Sequence, residues 1–191
     1  MNTAFEHPRY TIRRKVLQIF GAGFHVFDEG NRVIAFSRQK AFKLKEDIRV
    51  FTDESMATEL LRIGARQVID FSAAYDVIDS GADRKIGAAQ RRGLRSVLRD
   101  SWQLLDADDQ VVARIEEDSA GLAFLRRFLT NLIPQTFHVR DHQGREQATL
   151  KVHFNPFVYR MTVDVASGCT LDRRLVFAAA VLVAAIEGRQ Q

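Results

Sequence analysis

The stretch LVFAAAVLVAAIE, residues 175–187, decides the fold. It has no polar face, so it has to be buried either in lipid or in protein. At about 1.5 Å per helical residue, Leu175 to Ile186 spans about 18 Å, well short of a hydrocarbon core about 30 Å thick. Extending the run backwards takes in Asp172, Arg173 and Arg174, each costing about 2.5 to 3.5 kcal/mol at mid-bilayer depth. The stretch therefore reads as a helix enclosed by its own domain, with no transmembrane span.

The enclosure comes from alternation. One unit recurs: an extended apolar run, an aspartate near the turn, a polar loop and a second extended run. It is read in FHVFDEGNRVIAFS (24–37), IRVFTDESMATELLRI (48–63), YDVIDSGADRKIGAAQ (75–90), WQLLDADDQVVARIEE (102–117) and FHVRDHQGREQATLKV (137–152). Asp28, Asp53, Asp79, Asp106 and Asp141 are the turn acids, where a carboxylate bonds nearby backbone amides. YTIRRKVLQI (10–19) and FVYRMTVDV (157–165) read as two further strands. About twelve antiparallel strands close into a barrel or fold into a sandwich, and a wide barrel has a lumen to fill. The closing helix fits such a lumen, kept slim by Ala178, Ala179, Ala180, Ala184 and Ala185. The fold expected is a mainly β (α+β), about twelve-stranded antiparallel closed β-barrel around a buried C-terminal helix. It forms a single domain over 1–191 with a core from about 10 to 187.

One segment breaks the alternation. DSAGLAFLRRFLTNLIPQ (118–135) has Ser119 as an N-cap, then Leu122, Leu125, Phe128, Leu129 and Leu132 at helical spacing, and Pro134 past the end. It reads as an amphipathic helix that packs on the barrel, or whose apolar face, with Arg126 and Arg127, meets a membrane surface or a partner.

The chain has 191 residues, a net charge of +4 and one cysteine, Cys169, so no internal disulfide can form. Charges interrupt the N-terminal MNTAFEHPRYTIRRKVLQIF where a secretory signal needs a continuous apolar run. A cytoplasmic protein is expected, peripheral at a membrane if it meets one. The chemical motifs are weak. GAG (21–23) lacks the third glycine and the following helix of a dinucleotide loop, and reads as a turn. His138 and His142 have helical metal-pair spacing but sit in a hairpin with no third ligand. SGCT (167–170) reads as the connection between the last strand and the helix, its thiol without a base. No enzyme, metal or cofactor is expected.

Positive charge is the strongest functional signal. DRKIGAAQRRGLRSVLRD (83–100) contains Arg84, Lys85, Arg91, Arg92, Arg95 and Arg99, candidates for anionic-lipid binding. On a strand Arg91 and Arg95 share one face and Arg92 takes the other, whereas a helical turn would gather them. Lys40, Lys43 and Lys45 form a second basic stretch. Arg173 and Arg174 open the final helix, where the dipole disfavours cations, so an anion or a carboxylate is expected beside them.

The ordered hairpins, SWQLLDADDQVVARIEEDS (101–119), FLRRFLTNLIPQTFHV (124–139) and the closing LDRRLVFAAAVLVAAIEGRQ (171–190) resemble the LURP-one-related proteins, which belong with phospholipid scramblases and the Tubby C-terminal domain. The resemblance runs from about Tyr10 to Glu187 and implies a twelve-stranded barrel around the terminal helix. For activity it implies phosphoinositide binding, as in Tubby domains, or calcium-triggered lipid movement, as in scramblases. This chain has no proline-rich extension, cysteine cluster or separable membrane span, which counts against scrambling. The expectation is a non-enzymatic Tubby-like barrel that binds anionic phospholipid or phosphoinositide headgroups through its arginine-rich face. The alternatives are a structural or protein-interaction module and a scramblase-like activity. Nucleic acid is disfavoured, because the basic stretches lack interleaved aromatics to stack on bases.

Overall fold

The structure is a computed structural model that describes residues 3–14, 22–39, 47–66, 74–92, 101–118, 135–153 and 158–187. Twelve strands run β1 (Arg9–Arg14), β2 (Ala22–Phe27), β3 (Val33–Gln39), β4 (Asp47–Phe51), β5 (Glu59–Ala65), β6 (Ala74–Asp79), β7 (Arg84–Arg92), β8 (Ser101–Leu105), β9 (Val111–Glu117), β10 (Gln135–Asp141), β11 (Glu146–His153) and β12 (Arg160–Val165). A 3-10 turn at Thr3–Phe5 precedes them and the helix α1 (Arg173–Glu187) follows. Each strand pairs antiparallel with its neighbours in sequence, and β1 pairs with β12 to close the barrel. The five hairpins read from the alternation are β2–β3, β4–β5, β6–β7, β8–β9 and β10–β11.

Two boundaries differ from the reading of the sequence. Ala22 and Gly23 of the GAG tripeptide are the first residues of β2, paired with Gln39 and Arg38, and do not form a turn. β3 runs on to Gln39 and so offers both a pairing partner, although glycine and alanine carry no alternation of their own. β12 begins at Arg160; Tyr159, ahead of it, accepts a hydrogen bond from the Arg14 amide at 3.0 Å. Residues 15–20, Ser119 and the amphipathic segment to 134 lie outside the described residues.

Every hairpin carries a bulge in its second strand. The register jumps leave Ile34, Leu60, Ile86, Val112 and Gln147 as the extra residues, the first four evenly spaced along the chain. A bulge turns two successive side chains toward one face. Ile34, Leu60, Ile86 and Val112 therefore join the core beside Ala35, Leu61, Gly87 and Ala113, and three of these partners, Ala35, Gly87 and Ala113, are small enough to leave room for the helix. The turns are built alike. Asp28, Asp106 and Asp141 each donate their amide to the residue four positions on, and each carbonyl accepts from a residue at positive φ, namely Asn31, Asp109 or Gly144. This is a three-residue loop with a left-handed closing residue. The aspartate carboxylates complete it by accepting amides of Arg32 at 2.8 Å, Gln110 at 2.9 Å and Arg145 at 2.9 Å.

The lumen is filled. From Leu175 to Ala185 every residue of α1 is buried, packed in one cluster with the inner faces of the strands. That settles which solvent the apolar stretch has. Phe177 stacks on Tyr10 and meets Phe5 edge-on at 5.2 Å, so the N-terminal turn plugs one end of the barrel. Asp172 caps α1, its Oδ1 accepting the Arg174 amide at 2.9 Å. The carboxylates expected beside the helix-opening arginines are present at Arg174, which Asp172 and Asp79 hold, whereas Arg173 donates to the Glu6 backbone carbonyl.

Candidate functional site

With the lumen occupied, function falls to the outside of the barrel, and strand direction divides that outside by charge. The five hairpin turns, the N-terminal turn and the connection from β12 to α1 all lie at one end. These segments hold Glu6, Asp28, Glu29, Asp53, Glu54, Asp83, the three acids of Asp106–Asp109, and Asp172, with Arg32 and Arg145 as their only Lys or Arg. The acids are engaged locally. The Arg32 backbone amide, with the Arg32 side chain, holds the Asp28 carboxyl below its ordinary range. Burial works against ionisation of Asp141, but the Arg145 side chain and two turn amides, those of Arg145 and Gln143, still leave its pKa lowered.

The opposite end is basic. Arg13 and Arg14 finish β1, Arg38 lies near the end of β3, and Arg91 and Arg92 finish β7; Lys151 and Arg160 stand at the same end of β11 and β12, and these cations outnumber the acids there, Asp47 at the start of β4 and Glu117 and Asp118 at the end of β9. The segments that join strands at this end lie outside the described residues, and their sequences add Lys15, Lys40, Lys43, Lys45, Arg95, Arg99, Arg126 and Arg127 against three acids, Glu46, Asp70 and Asp100.

The candidate lipid-binding residues are divided between the two ends. Arg84 and Arg92 are the two ends of β7, eight residues or about 26 Å apart at 3.3 Å per residue. Arg84 is exposed at the acidic end. Lys85 beside it bonds Asp109 at 2.7 Å and lies 3.8 Å from Asp76, in a network that Arg66 completes. Arg91 pairs with Trp102 and shares its inner register with Ala89, at the rim; Arg92 pairs with Ser101. Arg95 and Arg99 lie outside the described residues, as do Leu122, Leu125, Arg126, Arg127 and Phe128 of the candidate membrane-facing or partner helix.

Two polar arrangements on the outer face escaped the sequence reading. His138 is clamped between carboxylates, Nδ1 at 2.6 Å from Glu146 and Nε2 at 3.0 Å from Asp118. Burial pulls its pKa down, but these two hydrogen bonds outweigh it and the net shift is upward. At the seam of the barrel, Arg13, Arg160 and His153 lie in one cross-strand row. Residues this far apart in sequence give no local motif, and only the closure between β1 and β12 makes them neighbours. Among the described residues no three His, Cys, Asp or Glu side chains gather into a metal site, and no helix is long and apolar enough to cross a membrane. Cys169 is a free, half-buried thiol in the connection to α1.

A family model described as LURP-one-related matches residues 9–184, which takes in all twelve strands and most of α1. The chain belongs to the LURP-one-related family. This LURP-one-related barrel matches no curated protein sequence. Family membership accounts for the architecture; the charge separation between the two ends is read from this chain's own residues.

Proposed function

We propose that this LURP-one-related barrel is a non-enzymatic, peripheral module that binds anionic phospholipid headgroups with its basic end. The supporting observation is the charge separation: the strand order gathers the acidic turns at one end and leaves Arg13, Arg14, Arg38, Arg91 and Arg92 at the other. Each Lys or Arg held close to an anionic leaflet contributes about 1 kcal/mol, so about four of them give reversible binding that weakens as salt rises. Within the 83–100 stretch the contact belongs to Arg91, Arg92, Arg95 and Arg99. Lys85 already serves Asp109, and Arg84 lies about 26 Å from Arg92 along β7.

Co-sedimentation with neutral and anionic liposomes across a salt series tests this. The protein is expected to bind anionic vesicles only, with loss at high salt. Changing Arg91, Arg92, Arg95 and Arg99 to Ala abolishes binding, and Arg84→Ala retains it. Equal loss in both variants, or no binding to anionic vesicles, refutes the assignment.

A further inference from the structure

The barrel closes where β1 meets β12, and the register there sets Arg13 directly opposite Arg160 and Arg160 directly opposite His153. Lys151, two residues back along β11 and opposite Thr162, lies on the same outer face. Side chains directly opposite on neighbouring strands have their Cβ atoms about 4.5 to 5.5 Å apart, and like charges so placed destabilise a sheet. Many outer-face cations elsewhere have a carboxylate: Asp164 for Arg9, Glu59 for Arg49, Asp83 for Arg62 and Asp109 for Lys85. Among the described residues Arg13, Lys151 and Arg160 form no ion pair.

The surroundings of these groups are built. The Arg13 guanidinium lies over the Phe27 ring, 4.6 Å from its centroid, and its Nε–H is shielded from water without an acceptor. A buried donor on a charged group that meets no acceptor is costly, and an anion would supply one. His153 Nε2 is 2.8 Å from the Thr162 hydroxyl. Burial and then the cations Arg160, Lys151 and Arg9 hold its pKa below the ordinary value, with Asp164 opposing them. The seam thus has excess positive charge on rigid strands, two planar guanidinium forks suited to an oxyanion, and an imidazole at the edge.

We propose that the seam is an oxyanion site, in which Arg13, Lys151, His153 and Arg160 receive the phosphate group of a phosphorylated ligand. That phosphate belongs either to a lipid headgroup, in which case the site rests on the membrane reading above, or to a soluble phosphorylated molecule, in which case it does not.

The test follows the His153 imidazole resonances by NMR during titration with inorganic phosphate and with inositol trisphosphate. Co-sedimentation runs alongside, on phosphatidylcholine vesicles with and without phosphatidylinositol bisphosphate. Phosphate binding is expected to offset the repulsion and move the His153 titration upward. The exposed pair of changes Lys151→Gln and Arg160→Gln is expected to weaken binding at least about tenfold, as loss of charge-assisted hydrogen bonds does. The same pair leaves the unliganded Tm unchanged or higher, because it removes repulsion; Arg13→Gln, which also loses its place on Phe27, is the second variant. Soluble phosphates and vesicles both lost in the variants support a headgroup site. Soluble phosphates alone support the seam site and overturn the membrane reading. Vesicle binding that the variants leave intact, with no response to either phosphate, overturns the seam site and spares the membrane reading. No binding of any kind overturns both.

Discussion

Gly87 and Gly64 are both strand glycines, on neighbouring hairpins, and an alanine at each should have opposite consequences. A Cβ built at Gly87 falls 2.3 Å from the Leu105 carbonyl oxygen and 3.0 Å from Leu175 Cδ1; at Gly64 nothing lies within 4 Å. Gly87 stands on the inner face beside the bulge residue Ile86, where β7 approaches both β8 and the central helix. Relief needs a shift of about 1 Å in a backbone that the β7–β8 ladder holds, and overpacking of this kind costs about 1 to 3 kcal/mol. An alanine also narrows the unfolded ensemble, which returns about 0.4 to 1 kcal/mol at either site. The net loss for Gly87→Ala is about 1 kcal/mol, or about 2 to 4 °C in Tm for a chain of this size. Gly64→Ala should be neutral or slightly stabilising. Urea and thermal denaturation of the two variants measure the difference. Adding Leu175→Ala should not rescue Gly87→Ala, since the shortest contact is to backbone. A Gly87→Ala protein as stable as Gly64→Ala would refute the close packing of β7 on the helix and on β8.

Phe177→Ala should cost about 3 to 5 kcal/mol, because the ring is 1% exposed and packed between Phe5 and Tyr10; chemical denaturation measures it. Gln147 occupies the one bulge position without an apolar residue, and it accepts from the Thr170 amide at 2.8 Å while donating to Asp141 at 3.0 Å. Gln147→Leu should therefore cost about 1 to 3 kcal/mol through the unpaired groups it leaves, with faster amide exchange at Thr170. Asp28, Asp141 and Asp172 have lowered pKa values, so the stability they contribute is full above the unfolded carboxylate value of about 3.9 and is lost as pH falls through their folded values. Acid titration should show a falling limb below about pH 4, and Asp141→Asn should shorten it. His138 has a raised pKa, so its contribution is full below about pH 6.5 and is lost as pH rises through the folded value. His138→Gln should flatten that alkaline limb in denaturation measured across pH.

Much of this architecture is local, and so was legible along the chain. Alternation marked all five hairpins, because side chains on a strand change face at every residue. The turn aspartates marked their ends, because a carboxylate there closes its own loop. Apolarity around the whole circumference of residues 175–187, with too little length for a bilayer, placed the helix inside the protein. The boundaries that failed, at Ala22–Gly23 and before Arg160, lie where small or flanking residues carry no alternation of their own. The functional surface was legible only in part. A run of arginines on one strand looks like a single patch in sequence, yet Arg84 and Arg92 lie at opposite ends of the barrel because a strand of that length crosses it. The clamp on His138, the bond from Gln147 to Thr170 and the row of Arg13, Arg160 and His153 depend on register and on closure between the first strand and the last. Local propensity sets neither of these: register follows from which side chains face the core, and closure from the need of twelve twisted strands to cover one apolar helix.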